Sequence, residues 1–573
     1  MITVKDHWTG HMFDPWENVG PKRKKLLKQS WAQVFRIYLL ETLPVGKIMD
    51  KFSAETGRPS KELFSAVGAL ILQQLHNLSD PEVVHAFAFD LEWHYALDIT
   101  DESDDSTYIA ERTLRNYRRI LIEKGLDKEL FDTLTDTLIE VFGVGTSKQR
   151  LDSTTIMSNM RKLGRLGIFL STIRKFLKKL KRSRSQLYES LIELSFAERY
   201  IGKKSEGCFS LVKPSEASKT LAGVGNDLLS LIECFKPYDS VTRLPEYGLL
   251  VRVLEEQCRV TGTGADARVE IKPPKEISPD SLQNPSDPDA GYDSHKGQGY
   301  KVQIMETYRE KHDGQLTLDL ITNVDVEPAH EHDANALTPA IEAVAERDIS
   351  PDELLCDTLY GGDDNVLEAE SNGVEVVAPV PGPAPAHDFT GFSYDTETMF
   401  ITMCPAGHVP DRVKRTKKGG ISARFSMKTC SGCPHLDRCP VKIGKKSAFV
   451  RYDDKILRLA RRRQYEQTKE FKDRYRWRAG IEATNSHLKT DLGMGRLRVR
   501  GIRSVRFSVY LKALGLNILR CAKSLHGGFS PCCTQICALF TRFENRLHAL
   551  FTGYHILLSK ISCFRYSDAF MAG

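Results

Sequence analysis

The sequence predicts a mixed α/β fold, in which a sheet flanked by helices follows a helical N-terminal region. Three observations predict it. Apolar residues recur with helical spacing between about residues 20 and 145. Runs rich in β-branched residues then appear near residues 150, 300, 320, 353 and 375, which favours short strands. A helical pattern separates several of these runs, as in sheets that are covered by helices.

The composition is that of a folded chain with several domains. It has 573 residues, of which 41% are hydrophobic and 27% charged. We expect no membrane span, because no run of 18 apolar residues occurs. The first residues lack the apolar segment of a signal peptide, so we expect a cytoplasmic protein. Thirteen cysteines, an odd number, favour free thiols or metal ligands over a disulfide framework.

The N-terminal elements are helices with clear start and stop signals. The first helical pattern stops at Pro44, the next begins after Pro59 and Ser60, and a later one ends at Gly125. We therefore interpret residues 1–145 as a helical domain. Its exposed basic residues make it a candidate DNA-binding module, and a packing role alone fits the pattern equally well.

A strand pattern around Asp152 opens the predicted sheet. Residues 159–285 then read as an insertion that begins with a basic amphipathic helix and ends in a Pro-rich loop. Strand patterns return in "GYKVQIMET" and "LTLDLITNVDVEP", a helix follows, and the apolar run "ELLC" ends at Asp357. We expect residues 146–158 and 286–500 to form one core, and residues 501–573 to form a helical tail.

The segment from Tyr475 to Lys489 predicts a helix with a polar edge. At 100° per residue, Tyr475, Arg478, Glu482 and Lys489 fall at about 0°, 300°, 340° and 320°. A solvated face with an Arg478–Glu482 pair would explain this stripe without any function. The surrounding block from Arg451 to Arg520 has 19 Lys and Arg against 7 Asp and Glu, which suits a polyanion such as nucleic acid.

Three carboxylates are candidates for a catalytic metal site. Asp152 and Asp357 lie at predicted strands and Glu482 lies on the polar helix edge. Such a set can hold two Mg²⁺ ions for phosphoryl transfer, since Mg²⁺ prefers oxygen ligands. A lone Asp in a strand is more often structural, and Asp363 or Asp364 are lesser candidates for the second position.

Four cysteines in residues 388–450 predict a zinc site. Cys404, Cys430, Cys433 and Cys439 are separated by 25, 2 and 5 residues. Four thiolates suit tetrahedral Zn²⁺, and His408 and His435 are substitute ligands. Ordinary free cysteines and an iron–sulfur cluster are the alternatives.

The sequence resembles the DDE-type insertion-sequence transposases. Tyr475, Arg478, Glu482 and Lys489 match their Y-x2-R-x3-E-x6-K signature. "LDSTTIMSNMRK" and "LLCDTLYGGDDN" are similar to the segments that carry the first and second catalytic Asp, and the likeness extends over roughly residues 45–520. The region from about Leu525 departs from the family pattern.

The resemblance implies a ribonuclease-H-like catalytic core and a bacterial, nucleoid-associated enzyme. It implies that Asp152, Asp357 and Glu482 hold Mg²⁺ or Mn²⁺, and that Tyr475, Arg478 and Lys489 grip transposon-end DNA. The expected partners are double-stranded DNA and at least one further copy of the chain. The expected reaction cuts the element's end and joins its 3′ hydroxyl to target DNA. A catalytically inactive DNA-binding regulator and a structure-specific nuclease are the alternatives.

Overall fold

A computed structural model describes most of the chain. It covers residues 2–7, 15–53, 59–202, 217–262, 267–310, 318–383, 389–417 and 419–526. The predicted tail falls partly outside these ranges, because its described part ends with a helix at His526. Across the residues covered, no helix is long and apolar enough to cross a membrane.

The chain divides into two compact units. The first comprises residues 1–146, 307–322 and 511–573, and the second comprises 147–306 and 323–510. Helices account for the described N-terminal part of the first unit, as predicted. They are α1 Pro21–Lys28, α2 Trp31–Val34, α3 Leu63–Leu75, α4 Asp80–Phe89, α5 Leu91–Ala96, α6 Asp104–Thr107, α7 Glu111–Glu123 and α8 Leu126–Phe142, with a π-helical turn at Phe35–Leu39 and 3₁₀ turns at Pro15–Asn18, Leu40–Thr42 and Val45–Lys51.

Helix α3 packs against α4 and α7 in this helical region. Nearly all its residues are buried, as expected for a helix that is apolar all round. Glu62 caps its start by accepting hydrogen bonds from the backbone N–H groups of Phe64 and Ser65. Gly143 ends α8 with a φ of +59°, a conformation that glycine adopts at little cost.

A mixed sheet forms the core of the second unit. Its strands are β1 Lys148–Ile156, β4 Gly291–Asp293, β5 Gly297–Thr307, β6 Ile321–Pro328, β7 Glu353–Cys356 and β8 Glu375–Val377. The order is β4-β5-β1-β7-β8, and β6 also pairs with β5. β1, β7 and β8 are parallel neighbours, whereas β4 and β5 are antiparallel. The predicted mixed α/β class with a helical N-terminal region is confirmed.

The segment between β1 and β4 folds around its own apolar core. Phe176, Tyr200, Leu228, Phe235 and Leu250 are among its most buried side chains. Its elements are α9 Arg165–Ser183, α10 Ser185–Leu191, α11 Leu194–Ile201, α12 Ala217–Phe235, α13 Asp239–Thr242, α14 Pro245–Gln257, the hairpin β2 Cys258–Thr261 with β3 Arg268–Ile271, and a 3₁₀ turn at Pro274–Glu276.

The cysteine-rich segment has a second small core, in which Phe392, Ile421, Phe425 and Val450 are buried. Its strands are β9 Ser393–Tyr394, β10 Ile401–Met403, β11 Arg412–Arg415, β12 Ile421–Phe425, β13 Lys442–Ile443 and β14 Ala448–Tyr452, with α17 Met427–Ser431 between β12 and β13. β11, β12, β14 and β13 form one antiparallel sheet in that order, and β9 pairs with β10.

The remaining helices follow β6 along the chain. They are α15 Leu337–Ala345, α16 Asp363–Ser371, α18 Asp454–Glu466, α19 Lys469–Tyr475, α20 Gly480–Thr490 and α21 Ile502–His526, with 3₁₀ turns at Asp333–Ala336, Thr358–Tyr360 and Arg476–Ala479.

Candidate active site

Two of the predicted carboxylates lie side by side in the middle of the main sheet, where β7 ends next to β1. Leu151 of β1 is the register partner of Cys356 of β7. Asp152 and Asp357 are therefore the next residues on two adjacent parallel strands, and Asp357 also begins the 3₁₀ turn that follows β7. Burial raises the pKa of the Asp152 carboxyl, and the neighbouring charge of Asp357 raises it further, while Arg478 opposes both. The pair thus concentrates negative charge in a partly desolvated place.

The third carboxylate, that of Glu482, is linked to Asp152 through Arg478, which contacts both. Arg478 Nη1 lies 3.6 Å from Asp152 Oδ2, and Arg478 Nη2 lies 3.2 Å from Glu482 Oε1. Because a guanidinium is a rigid planar fork, the two contacts keep these carboxyl oxygens within about 10 Å of each other. Glu482 itself is 66% exposed, so its carboxylate has room to move. The structure therefore brings Asp152, Asp357 and Glu482 to one region.

The segment from Tyr475 to Lys489 is helical, but the prediction of one regular α-helix was wrong. Tyr475 ends α19, Arg478 lies in a 3₁₀ turn, and Glu482 and Lys489 belong to α20. The carbonyl oxygen of Trp477 accepts a hydrogen bond from Arg150 at 2.8 Å. A tertiary hydrogen bond thus engages a backbone carbonyl in the middle of this helical segment.

A buried ion pair holds α20 onto the sheet. Arg150 Nε donates to Glu306 Oε1 at 2.8 Å, and the two side chains are only 8% and 0% exposed. Thr484 Oγ1 donates to the other Glu306 oxygen at 2.6 Å. Gly480 lies so close that a Cβ there would be 2.1 Å from Arg150 Nη1. β1, β5, the 3₁₀ turn and α20 are therefore joined by one hydrogen-bonded group.

The segments before and after this turn are also fixed to the sheet. Arg474 donates to Glu353 at 2.8 Å and to Glu375 at 2.6 and 2.9 Å, which fastens α19 to β7 and β8. After α20, the N–H of Leu497 donates to Met157 O at 2.7 Å, beyond the end of β1. The helix with Glu482 is thus anchored to the strand with Asp152 on both sides.

Tyr475 and Lys489 are half-buried neighbours of the carboxylates. Burial raises the pKa of Tyr475 to about 12, so its hydroxyl stays a hydrogen-bond donor at neutral pH. Its ring stacks on Phe471 with centroids 5.3 Å apart. Burial and the nearby Lys296 lower the pKa of Lys489, whereas Asp152 opposes that change.

Asn485 is a neighbour of Asp152 that the sequence analysis missed. Its Nδ2 lies 3.4 Å from Asp152 Oδ2. Its Oδ1 is buried and has no hydrogen-bond partner among the described residues. The signal was present, because residue 485 falls at about 280° on the helical wheel, beside Arg478.

The oxygen donors fit a hard divalent cation, but not in the arrangement observed. Among the described residues, no three His, Cys, Asp or Glu side chains are grouped so that they could hold a metal ion. At the carboxylates the reason is visible, since the Arg478 guanidinium lies between Asp152 and Glu482. A cation there requires Arg478 to turn away, which would free both carboxylates and leave Asn485 Oδ1 as a further oxygen donor.

The four predicted zinc ligands surround one small cavity. Cys404, Cys430, Cys433 and Cys439 line a space of about 20 Å³, together with His408 and His435. Burial raises the pKa of the Cys430 thiol, and the charges of the other three cysteines raise it further. The thiols are thus mutual neighbours, although the grouping needed for a metal ion is not formed within the described ranges.

Two family models match the chain. Residues 403–522 match the transposase DDE domain, and residues 24–119 match the transposase domain DUF772. The chain has a transposase function. No curated protein matches it.

The transposase is an enzyme of the DNA endonuclease and strand transferase class, because that is the activity of a DDE transposase domain. The match includes Tyr475, Arg478, Glu482 and Lys489, and all four cysteines lie in it. Asp152 and Asp357 lie outside it and are brought to Glu482 by the fold. DDE transposases act on DNA and use divalent metal ions, which agrees with the oxygen-rich site described above.

Proposed function

We propose that the transposase cuts the ends of an insertion sequence and joins the freed 3′ hydroxyl to target DNA at the site of Asp152, Asp357 and Glu482. The observation that carries the proposal is the convergence of these carboxylates, two on adjacent parallel strands and the third across one guanidinium. The parallel strands β1, β7 and β8 beside antiparallel β4 and β5 support a ribonuclease-H-like core.

In this proposal the three carboxylates hold Mg²⁺ or Mn²⁺, with the Asn485 amide oxygen beside them. When bound, such ions would supply the positive charge that activates the attacking oxygen and stabilises the leaving oxygen of the phosphodiester. Tyr475 and Lys489 contact the phosphate next to the scissile bond through a hydroxyl and an ammonium. Arg478 then turns from the carboxylates to a phosphate oxygen, for which its planar fork is well suited.

The chain's residues orient two successive in-line attacks. Water first attacks the phosphodiester at the element's end, and the bond to the 3′ oxygen breaks, leaving a 3′ hydroxyl. That hydroxyl then attacks a target phosphodiester, so one bond to phosphorus forms as another breaks. The Y-R-E-K residues act in both steps, because the phosphorus atom attacked in each step passes through the same kind of negatively charged transition state.

Asp357→Asn tests the proposal. The amide keeps the side chain's shape and removes its charge, so we expect cleavage of end DNA in Mg²⁺ to fall below detection. DNA binding should stay within about threefold, since its phosphate contacts come from other side chains. The substrate is a labelled duplex from the DNA that flanks the coding region.

Asp364→Asn is the matched control, because Asp364 is 87% exposed and pairs with Lys455. Cleavage by Asp357→Asn at the wild-type rate would remove Asp357 from the site. A plasmid assay separates the alternatives, since an inactive regulator neither cuts nor joins DNA and a structure-specific nuclease cuts without joining.

The proposal also concerns partners and organisation. Two ends of one element must be held together, so at least two copies of the chain act on double-stranded DNA at the bacterial nucleoid. We assign residues 1–145 to a candidate DNA-binding domain, residues 146–158 with 286–500 to the catalytic core, residues 159–285 to an insertion, and residues 501–573 to a tail.

We assign a structural Zn²⁺ to Cys404, Cys430, Cys433 and Cys439 in the insertion at residues 388–450. The support is the small cavity that these thiols share, and four thiolates are a donor set that zinc prefers. Closure of the site requires the side chains to move, because the grouping needed for a metal ion is not formed among the described residues. Four protein ligands leave no open position, so the ion would stabilise the fold and take no part in cleavage.

A further inference from the structure

The turn between β4 and β5 presents a lysine beside the carboxylates. Asp293 Oδ1 accepts hydrogen bonds from the backbone N–H groups of His295 and Lys296 at 2.7 and 2.8 Å. Gly297 follows with a φ of +90°, which closes the turn. The Lys296 side chain is exposed. The strand after the turn packs on β1, since a Cβ on Gly299 would lie 2.2 Å from Ile156 O, and the Lys296 charge acts on Asp152 of that strand. The backbone that carries this lysine is thus fixed next to the strand of Asp152.

A second lysine is held next to this turn. Gln298 makes two hydrogen bonds to the backbone of Leu163, at 3.2 Å to its N–H and 2.8 Å to its carbonyl. These bonds fasten the segment after β1 to the start of β5. Lys162 Nζ lies 3.9 Å from the position that a Cβ on Gly297 would take. Lys162 and Lys296 are therefore neighbours that come from different segments.

The cationic groups gathered here lack acidic partners. Among the described residues, neither Lys162, Lys296 nor Lys489 forms an ion pair with a carboxylate within 4.0 Å. Other exposed lysines of the chain do, for example Lys455 with Asp364 at 3.1 Å. Like charges repel, so a cluster of this kind is stabilised when it meets an anion.

We infer that Lys162 and Lys296, together with Lys489, bind consecutive phosphates of one DNA strand beside the carboxylates. The inference rests on the proposed function and adds two DNA-contacting residues to it. Ammonium groups on flexible stems bind phosphate as point charges and do not read bases. The contribution of Lys162 and Lys296 is therefore independent of sequence and sensitive to salt.

The salt dependence of DNA binding tests this inference. The probe is a labelled 30-base-pair duplex of arbitrary sequence, titrated by fluorescence anisotropy between 50 and 200 mM salt without divalent cations. The slope of log K against log salt is negative, and each lost phosphate contact on duplex DNA makes it less steep by about 0.9. We expect Lys162→Gln and Lys296→Gln each to make the slope less steep by that amount, and the double variant to make it less steep by about 1.8.

Two controls keep the test sharp. Lys219→Gln removes an exposed lysine of α12 and should leave the slope unchanged. The double variant Lys162→Arg with Lys296→Arg keeps both charges and should retain the wild-type slope. A double Gln variant with the slope of Lys219→Gln would overturn the inference. Failure of the wild-type chain to cut element ends in Mn²⁺ would instead contradict the proposed function, since the slope does not depend on chemistry.

Discussion

Burial disfavours the charged form of the Asp152 carboxyl. Burial raises the pKa of its carboxyl, and Arg478 reduces that effect only in part. A group whose folded pKa is raised binds its proton more tightly in the folded state. The free energy of unfolding that such a group contributes is therefore present at low pH, and it is lost as the pH rises through the pKa of the folded state. Such a cost is typical of a residue retained for function.

We predict that Asp152→Asn raises the melting temperature at pH 8 in EDTA. The amide removes a desolvated charge, so the gain should shrink as the pH is lowered toward 4 and the raised pKa lets the wild-type carboxyl take up its proton. Scanning calorimetry at the two pH values measures it. Asp491→Asn is the control with the opposite sign, because His487 and Thr490 lower the pKa of Asp491. Equal shifts for Asp152→Asn at both pH values would contradict the prediction.

At the scale of elements, the geometry of the site depends on where α20 meets the sheet. The hydrogen-bonded group of Arg150, Glu306 and Thr484 lies under that helix and is almost fully buried. Breaking one member of such a group leaves the others without partners, which costs more than the bond itself is worth. The group thus fixes the position of Glu482 relative to Asp152.

Gly480→Ala should disturb this arrangement. The φ of Gly480 is −62°, so alanine suits the backbone and gains up to about 1 kcal/mol of helix propensity. Its Cβ would nevertheless lie 2.1 Å from Arg150 Nη1, within a buried ion pair. Overpacking of this kind costs about 1–3 kcal/mol, so we expect a net loss of stability and slower cleavage.

Gly248→Ala is the matched control for this substitution. Gly248 lies inside α14, and a Cβ there would meet nothing within 4 Å. Alanine should therefore stabilise the chain by about 0.5–1 kcal/mol without changing cleavage. Thermal unfolding and end-DNA cleavage are measured for both variants. If Gly480→Ala matched Gly248→Ala in both, the contact with Arg150 would not matter.

The sequence predicted elements better than the contacts between them. β1 and the end of β7 at Asp357 were predicted because β-branched and apolar runs are local signals. The interruption of the helix at Trp477 was not, since it depends on Arg150, more than 300 residues away. The turn with Lys296 was overlooked for the same reason, because only the fold brings it near Asp152. The described sites thus combine local patterns with pairings that a single sequence does not reveal.

At the scale of the molecule, the buried apolar side chains of the second unit form separate cores. The main sheet carries the carboxylates, the helices between β1 and β4 have one core, and the cysteine-rich segment has another. The last of these is small. In a segment of this size, apolar burial seldom supplies more than about 3–5 kcal/mol of folding stability, so metal ions or disulfides commonly add to that stability.

We therefore predict about one zinc per chain by elemental analysis and local unfolding when it is removed, because four thiolates suit structural zinc. Treatment with 1,10-phenanthroline should expose protease sites first within residues 389–450, and Cys433→Ser should do the same without a chelator. Cys234→Ser, which alters a half-buried thiol in another core, should retain the zinc and the wild-type digestion pattern. A metal-free chain whose digestion pattern does not change would show that this core is stable by apolar packing alone.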